Sequence, residues 1–315
     1  MKVSVVIPLY NEEENIAVLH QRLTETLERI GCGYEIIYVD DGSNDKTLAG
    51  LEGIQAGDKK VVVLSLRRNF GQTAAFAAGF DFARGDIVVT MDGDLQNDPA
   101  DIPKLLDLIK DNDLVSGWRK KRKDAFITRR LPSMLANWII SKVTGVKLHD
   151  YGCSLKAYRR EVIKNLKLYG EMHRFIPAIA SWYGVRVAEV ETTHYPRLRG
   201  KSKYGLSRTM KVILDLITVK FLQSFSTKPL QFFGPIGLFS GAAGFFISLY
   251  LSLEKIFLGK PIGGRPLLLL GILLIIVGIQ LIGMGLLGEM LVRVYHESQR
   301  KPIYVIKKII GAETE

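Results

Sequence analysis

The sequence predicts an α/β protein in which a doubly wound, mostly parallel sheet is followed by a two-helix hairpin. Three observations carry this. Short β-branched runs alternate with helix-like segments across residues 3–117. Several of those runs end in acids or an aromatic, at Tyr10, Glu12, Asp40, Asp41, Asp92 and Asp94. Two stretches nearer the C-terminus, each longer than 20 residues, hold no charged side chain. Alternating β and α elements wind onto one parallel sheet, and ligands of such sheets bind at the carboxyl ends of the strands.

Residues 3–9 form a continuous apolar run, as a strand buried on both faces requires. Pro8 closes it, and Tyr10 and Asn11 turn the chain. Asn11 is expected to cap a helix reaching about residue 30, with Glu12, Glu13 and Glu14 in its positive first turn. A second strand, 34–39, ends on Asp40-Asp41-Gly42-Ser43, and a helix follows from 45 to about 56. Residues 61–66 read as a third strand and 69–83 as an alanine-rich helix. Residues 87–91 read as a fourth strand, 99–110 as a helix with Pro99 near its first turn, and 114–117 as a fifth strand. No G-x-G-x-x-G follows the first strand, which argues against a dinucleotide-binding dehydrogenase.

The chain has 315 residues, enough for one large domain and a smaller unit, and a net charge of +11. That excess suits nucleic acid, anionic lipid or phosphorylated substrates. No nucleic-acid fingerprint and no low-complexity basic tail accompany it, so the membrane explains it better and nucleic acid is not expected. Cys32 and Cys153 stand in unrelated contexts, which excludes a disulfide framework or a zinc spacing. The opening MKVSVVIPL enters a strand directly and lacks a signal peptide's apolar core, so the N-terminal part is expected in the cytosol.

The fourth strand leads into Asp92, Asp94 and Gln96, spaced D-x-D-x-Q. Carboxylates two apart on an extended chain point the same way. Two hard oxygen ligands with an amide oxygen beside them suit Mg²⁺ or Mn²⁺, with positions left open for substrate phosphates. The plain alternative is an acidic turn capping the next helix through Asp98. Because the other strand-end residues gather at the same edge, the metal reading is favoured.

Three segments, VVIPLYNEEENI, YVDDGSNDKT and MDGDLQNDP, together resemble family 2 glycosyltransferases of the GT-A fold, over about the first 200 residues. The resemblance implies that Pro8, Tyr10, Glu12 and Asp40 hold the nucleoside of a nucleotide sugar. It places Asp92 by the ribose–diphosphate and the metal, and Asp94 and Gln96 on the metal. Asp92 and Asp94 would then be the catalytic carboxylates.

A basic middle follows. Arg119 and Arg122, in RKKRK, stand where a loop could close on a diphosphate. In residues 126–143, Ile127, Leu131, Met134 and Trp138 share a helical face beside Arg129, Arg130 and Lys142, as in a helix lying in the membrane interface. Arg129 and Ser133 resemble the R-x-x-x-S of dolichol- and polyprenyl-phosphate sugar synthases, which implies a grip on the lipid phosphate. Residues 150–160, DYGCSLKAYRR, resemble that branch's element near the acceptor, with Gly-Cys-Ser at a centre that is usually Ser-Gly-Phe-like. RLRGKSK, from Arg197 to Lys203, resembles its R-x-x-G-x-S-K, which implies phosphate contacts from Arg197 and Lys203. His149, His173 and His194 lack metal spacing and read as structural.

Residues 204–228 read as a second interfacial helix. Residues 229–253 and 266–288 are uncharged and exceed the roughly 20 residues that span about 30 Å of hydrocarbon. They are read as two spans (about 229–253 and 266–290) in a hairpin over 229–292, after a catalytic domain at 1–203 and before a basic tail at 293–315. Lysines and arginines outnumber those of the 254–265 loop at the outer ends, which puts the catalytic domain and both termini in the cytosol. Gly241, Gly244, Gly278, Gly283, Gly285 and Gly288 suit close helix packing, within the hairpin or between subunits.

The reading is therefore a multi-pass inner-membrane glycosyltransferase moving a hexose from a nucleotide donor, UDP-glucose first among them, to polyprenyl phosphate. The chain looks most like the bactoprenol glucosyltransferases. GDP-mannose, UDP-GlcNAc or a UDP-4-amino-arabinose derivative are alternative donors for the same acceptor. A processive polysaccharide synthase would need more spans and a Q-x-x-R-W element. A non-catalytic sensor would not need an intact D-x-D-x-Q.

Overall fold

The computed structural model describes residues 1–120, 137, 140–142, 144–164, 166, 168, 172–181, 183–196, 230–298 and 303–311. Arg122, Arg129, Ser133, Arg197, Lys203, most of the 124–143 segment and the whole of 204–228 lie outside them.

The chain divides into two compact units, residues 1–219 with 302–315, and residues 220–301. The first is a sheet of eight strands: β1 (Lys2–Leu9), β2 (Gly33–Asp40), β3 (Val61–Leu66), β4 (Ile87–Thr90), β5 (Leu114–Trp118), β6 (Lys156–Arg159), β7 (Val187–Glu191) and β8 (Ile306–Ile310). Their order is β7-β5-β6-β4-β1-β2-β3-β8. β1 pairs in parallel with β2 and β4, and β2 with β3. These are the runs of Val, Ile and Leu that a strand covered on both faces needs, and Val3, Val5, Ile7, Ile36, Val63 and Val89 all lie in the core.

Helices α1 (Ile16–Ile30), α2 (Thr47–Gly57), α3 (Gln72–Phe82) and α4 (Ile102–Leu108) link the parallel strands and β5. α1 turns Leu19, Leu23 and Leu27 inward and stops at Gly31, whose left-handed backbone closes the last turn. Short helices α5 (Arg160–Lys164) and α6 (Ile176–Ser181) follow β6.

Three sequence readings need correction. Asn11 does not cap α1: it takes a left-handed turn (φ 55°), which asparagine tolerates, and the helix begins at Ile16 behind Asn15. The 99–110 helix is a single 3-10 turn, Pro99–Asp101, followed by the shorter α4. β6 enters antiparallel between β4 and β5, in a sheet that is otherwise mostly parallel, as the sequence predicts. The segment read as a basic tail supplies β8, antiparallel to β3 at the edge of the sheet.

The second unit is a pair of long helices, α7 (Leu230–Leu258) and α8 (Pro266–Ser298). Both are long and apolar enough to cross a membrane. Their apolar side chains face outward, with Phe239 and Phe257 each 78% exposed, an arrangement that costs little only in an apolar medium. Glycine lets the helices touch: a Cβ on Gly244 would sit 2.4 Å from the Gly271 carbonyl, and one on Gly278 would sit 2.6 Å from that of Gly237.

Candidate active site

The site is built at the carboxyl ends of β1, β2 and β4. Val6 turns its carbonyl to β4, accepting from the Met91 N–H. Pro8, two residues on, faces the same side, where β4 has already ended at Thr90. Its missing N–H therefore leaves no gap in the ladder, and a proline sits at the end of a central strand.

The loops after β1 and β2 hold each other. Asn11 Oδ1 accepts from the Asn44 N–H (2.9 Å) and the Asn11 N–H donates to Ser43 Oγ (3.0 Å). The Glu12 N–H donates to Thr47 Oγ1 (2.9 Å), and Glu13 accepts from the Lys46 N–H (2.8 Å). Tyr10 is left half-buried at the rim. The Glu12 carboxylate accepts from Asn15 Nδ2 at 2.6 Å, so part of its capacity is spent inside the loop.

Asp40 and Asp41 are both buried, and both are paired. Asp40 accepts from the Ser43 N–H and from Ser65 Oγ, both at 3.1 Å. Asp41 accepts from the N–H groups of Phe70 (2.7 Å) and Gly71 (2.9 Å), fixing the loop that enters α3. Burial, with the Asp40 charge beside it, raises the Asp41 carboxyl above the usual range against those two bonds.

The D-x-D lies on bent backbone just past β4, not on an extended strand. Leu95 takes φ 60°, an uncommon angle for leucine, while its side chain stays buried. Strain of this kind persists where the surroundings over-determine it, and it sits between Asp94 and Gln96. Gly93 lets the turn press on β1: a Cβ there would stand 2.1 Å from Leu9 Cδ2. Asp94 Oδ1 accepts from the Gln96 N–H (3.2 Å). Gln96 is tied to Tyr195 through its carbonyl, which accepts the Tyr195 N–H at 2.9 Å.

Asp92 Oδ1 accepts from Gln72 Nε2 at 2.6 Å. Burial and the neighbouring Asp94 charge push its carboxyl up to about 6. Two acids held in one corner, one of them pushed toward its neutral form, form a hard-oxygen set that a divalent cation fits. Among the described residues no three His, Cys, Asp or Glu side chains gather as a cage. Any ion held here would thus take only a few protein ligands.

Residues 4–167 match the family described as Glycosyl transferase family 2. The chain belongs to that family. This glycosyltransferase is 45% identical over 327 residues to dodecaprenyl-phosphate galacturonate synthase of Rhizobium johnstonii, covering 100% of this chain and 95% of that protein. It is 40% identical to undecaprenyl-phosphate 4-deoxy-4-formamido-L-arabinose transferase of Aeromonas hydrophila, over 99% of this chain and 95% of the other. Glucosyl-3-phosphoglycerate synthase from Mycobacterium tuberculosis, solved with Mn²⁺, UDP and glucosyl-3-phosphoglycerate, superposes with a TM-score of 0.54 at 19% identity, over 70% of this chain and 79% of that one. That likeness establishes the GT-A fold of the glycosyltransferase.

Behind the D-x-D lies a buried layer that sequence reasoning largely missed. Arg119 does not stand on an open loop. Its guanidinium is held by Asp150, Nε to Oδ2 at 2.7 Å and Nη2 to Oδ1 at 2.9 Å, with side chains 13% and 4% exposed. Lys156, fully enclosed on β6, donates to the carbonyls of Tyr151 (3.3 Å) and Cys153. Burial lowers its ammonium's pKa. Ser154, two residues before Lys156, holds the turn of the acids: its Oγ accepts from the Asp92 N–H (3.2 Å) and Asn97 Nδ2 (2.8 Å), and its carbonyl accepts from Thr90 Oγ1 (2.7 Å). Bonding to Ser154 and the charges of Arg119 and Lys156 work against the rise of the Asp92 carboxyl. The only sequence signal for this layer was the 150–160 element itself. His149 stacks on Trp118 with 4.2 Å between centroids, and His173 Nδ1 bonds Thr73 Oγ1 at 2.8 Å.

Proposed function

We propose that this glycosyltransferase transfers one sugar from a UDP-linked donor to polyprenyl phosphate at the cytosolic face of the inner membrane. The observation that carries this is the full-length likeness to two proteins whose names both specify a polyprenyl phosphate. The paired apolar helices support a membrane-embedded acceptor. The sugars in those names are galacturonate and 4-deoxy-4-formamido-L-arabinose. Galacturonate therefore replaces glucose as the leading donor sugar.

A phosphomonoester has its second pKa near 6 and arrives already anionic. Its oxygen attacks the anomeric carbon, the bond from that carbon to the UDP oxygen breaks, and UDP leaves with the electron pair. No general base is needed. Pro8, Tyr10, Glu12 and Asp40 are proposed to hold the nucleoside, and Asp92 the ribose–diphosphate. Asp94, Gln96 and Asp92 would hold Mg²⁺ or Mn²⁺, which when bound would neutralise the leaving diphosphate. The acceptor phosphate is assigned to Arg129, Ser133, Arg197 and Lys203, with Arg122 toward the diphosphate. Arg119 reaches the phosphates only through the field it adds beside Asp92. Inversion at the anomeric carbon follows from a single displacement.

The test is a donor panel, UDP-galacturonate, UDP-4-deoxy-4-formamido-L-arabinose and UDP-glucose, with undecaprenyl phosphate and the full chain in detergent. One donor should give a lipid carrying a single sugar. A polymer would favour a processive synthase, and turnover of none of them a non-catalytic role. The acceptor assignment has its own check. Guanidinium grips phosphate through two bonds and lysine does not reproduce that fork. Arg129→Lys should lower the rate roughly ten- to a hundredfold at subsaturating lipid, the worth of one charge-assisted bond. UDP affinity should stay unchanged.

A further inference from the structure

A cavity of about 330 Å³ opens beside the nucleoside loops, lined by Tyr10, Gly42, Ser43 and Asn44, by residues 65–69 and by Lys307. It lies at the carboxyl ends of β1, β2 and β3, and its volume falls in the range of small-ligand sites. One wall is tight. Gly42 has φ 68°, and a Cβ there would stand 2.5 Å from the Arg68 carbonyl carbon, so the chain approaches closely only as glycine.

Lys307 comes to this cavity from the far end of the sequence. β8 pairs with β3 through Ser65↔Lys308 and Leu66↔Ile306, and the register shifts between those pairs. Lys307 is the extra residue of that bulge. A bulge leaves one residue outside the ladder and re-aims its side chain, which is why bulges collect beside active sites. The strand around it is pinned. The Arg67 N–H donates to the Val305 carbonyl (2.9 Å), the buried Tyr304 donates through Oη to Asp81 (2.7 Å), and Lys308 pairs with Glu52 (2.8 Å) on the neighbouring surface. Arg67, Arg68 and Lys307 thus line one small cavity, and among the described residues no carboxylate lines it with them.

We infer that Lys307 is a donor-binding residue: β8 closes the nucleotide site and sets Lys307 against an acceptor oxygen of the bound nucleoside diphosphate. This rests on the nucleotide-donor reading above. An ammonium supplied by a strand that follows the membrane hairpin makes the C-terminal segment part of the binding site, beyond its service as an edge strand.

The experiment titrates UDP and GDP against the full chain in detergent and compares Lys307→Ala, Lys307→Arg and Lys308→Ala. Donor KM and kcat are measured with undecaprenyl phosphate. Wild type should bind UDP. Lys307→Ala should raise the UDP Kd and donor KM roughly tenfold, in the range of one charge-assisted bond at a partly solvated site. It should also flatten the salt dependence of binding and leave kcat within about twofold. Arginine at 307 should recover most of the affinity, and Lys308→Ala should match wild type. Unchanged UDP affinity in Lys307→Ala, in an enzyme that still makes lipid product, overturns the inference and leaves the proposed function standing. An equal loss in Lys308→Ala overturns it too, because strand pairing alone would then matter. Binding of neither nucleotide by wild type overturns both.

Discussion

β1, β2, β3 and β4 lie side by side as parallel strands, while β6 slips antiparallel between β4 and β5 after a long return of the chain. The two halves position their functional groups differently. In the parallel half, Asn11, Glu13, Asp40 and Asp41 trade bonds with backbone N–H groups of neighbouring loops. Many moderate bonds to backbone N–H groups share that task. In the other half, Asp92 is backed by the buried Arg119–Asp150 pair, by Lys156 and by Ser154. A few enclosed charges carry everything there. The side built from the β1 and β2 loops should therefore degrade gradually when cut, and the D-x-D side abruptly.

The largest expected effect follows from the ion pair. Asp150→Asn or Arg119→Met leaves a buried charge uncompensated and should cost about 3–5 kcal/mol of stability. The double variant should cost clearly less than the two single losses added together. Denaturant unfolding of the four proteins gives the coupling. Strict additivity would mean that the pair is not a unit and would erase the contrast between the halves.

His173 sharpens the same contrast through pH. Burial, helped by the Arg174 and Lys156 charges, lowers its pKa from 6.5 to about 3. The unfolded chain then takes up a proton that the folded chain refuses. The associated stability is intact above about pH 6.5 and drains as pH falls toward 3, at up to about 1.4 kcal/mol per pH unit. By pH 5 the loss should be about 2 kcal/mol. His173→Gln preserves a partner for Thr73 without the titration, so its melting temperature should fall less between pH 7 and 5 than that of wild type.

The smallest effect belongs to the parallel half. Asn11→Ala removes the side-chain bond to the Asn44 N–H and places alanine at φ 55°, and should cost about 1–2 kcal/mol. UDP affinity should weaken only a few-fold, as isothermal titration would measure. A loss as steep as that of Asp150→Asn would break the proposed division of labour.

The same comparison explains what the sequence makes legible. Val3, Val5, Ile7 and the apolar face of β2 announce buried parallel strands because both faces of such strands are covered. β6 (KAYR), β7 (VAEVE) and β8 (IKKII) are short and mixed in polarity. Long-range pairing makes them strands, and nothing local marks them. Asp92 and Asp94 were legible as a pair, yet their geometry was not. The extended-chain argument fails because the strand stops at Thr90 and the turn is fixed by Gly93 and Leu95. Arg119 read as a loop cation because its partner Asp150 is 31 residues away. Ser154 and Lys156 fall within the 150–160 element without a role that the sequence marks, Gln72 carries no motif, and all three emerge only when the chain is folded around Asp92.

The central claim is that the corner of Asp92, Asp94 and Gln96 supports sugar transfer to a polyprenyl phosphate with help from a divalent ion. One assay meets it directly: single-turnover transfer of label from the UDP-sugar that wild type uses to undecaprenyl phosphate, with and without chelator, for wild type and Asp94→Asn. The account predicts a lipid bearing one sugar and an equal amount of UDP. Chelator should abolish transfer, and Mg²⁺ or Mn²⁺ should restore it. The nearly isosteric Asp94→Asn should be slower by about a thousandfold, a loss of roughly 4 kcal/mol, while its melting temperature stays close to that of wild type. Undiminished lipid product in excess chelator, or in Asp94→Asn, would contradict it.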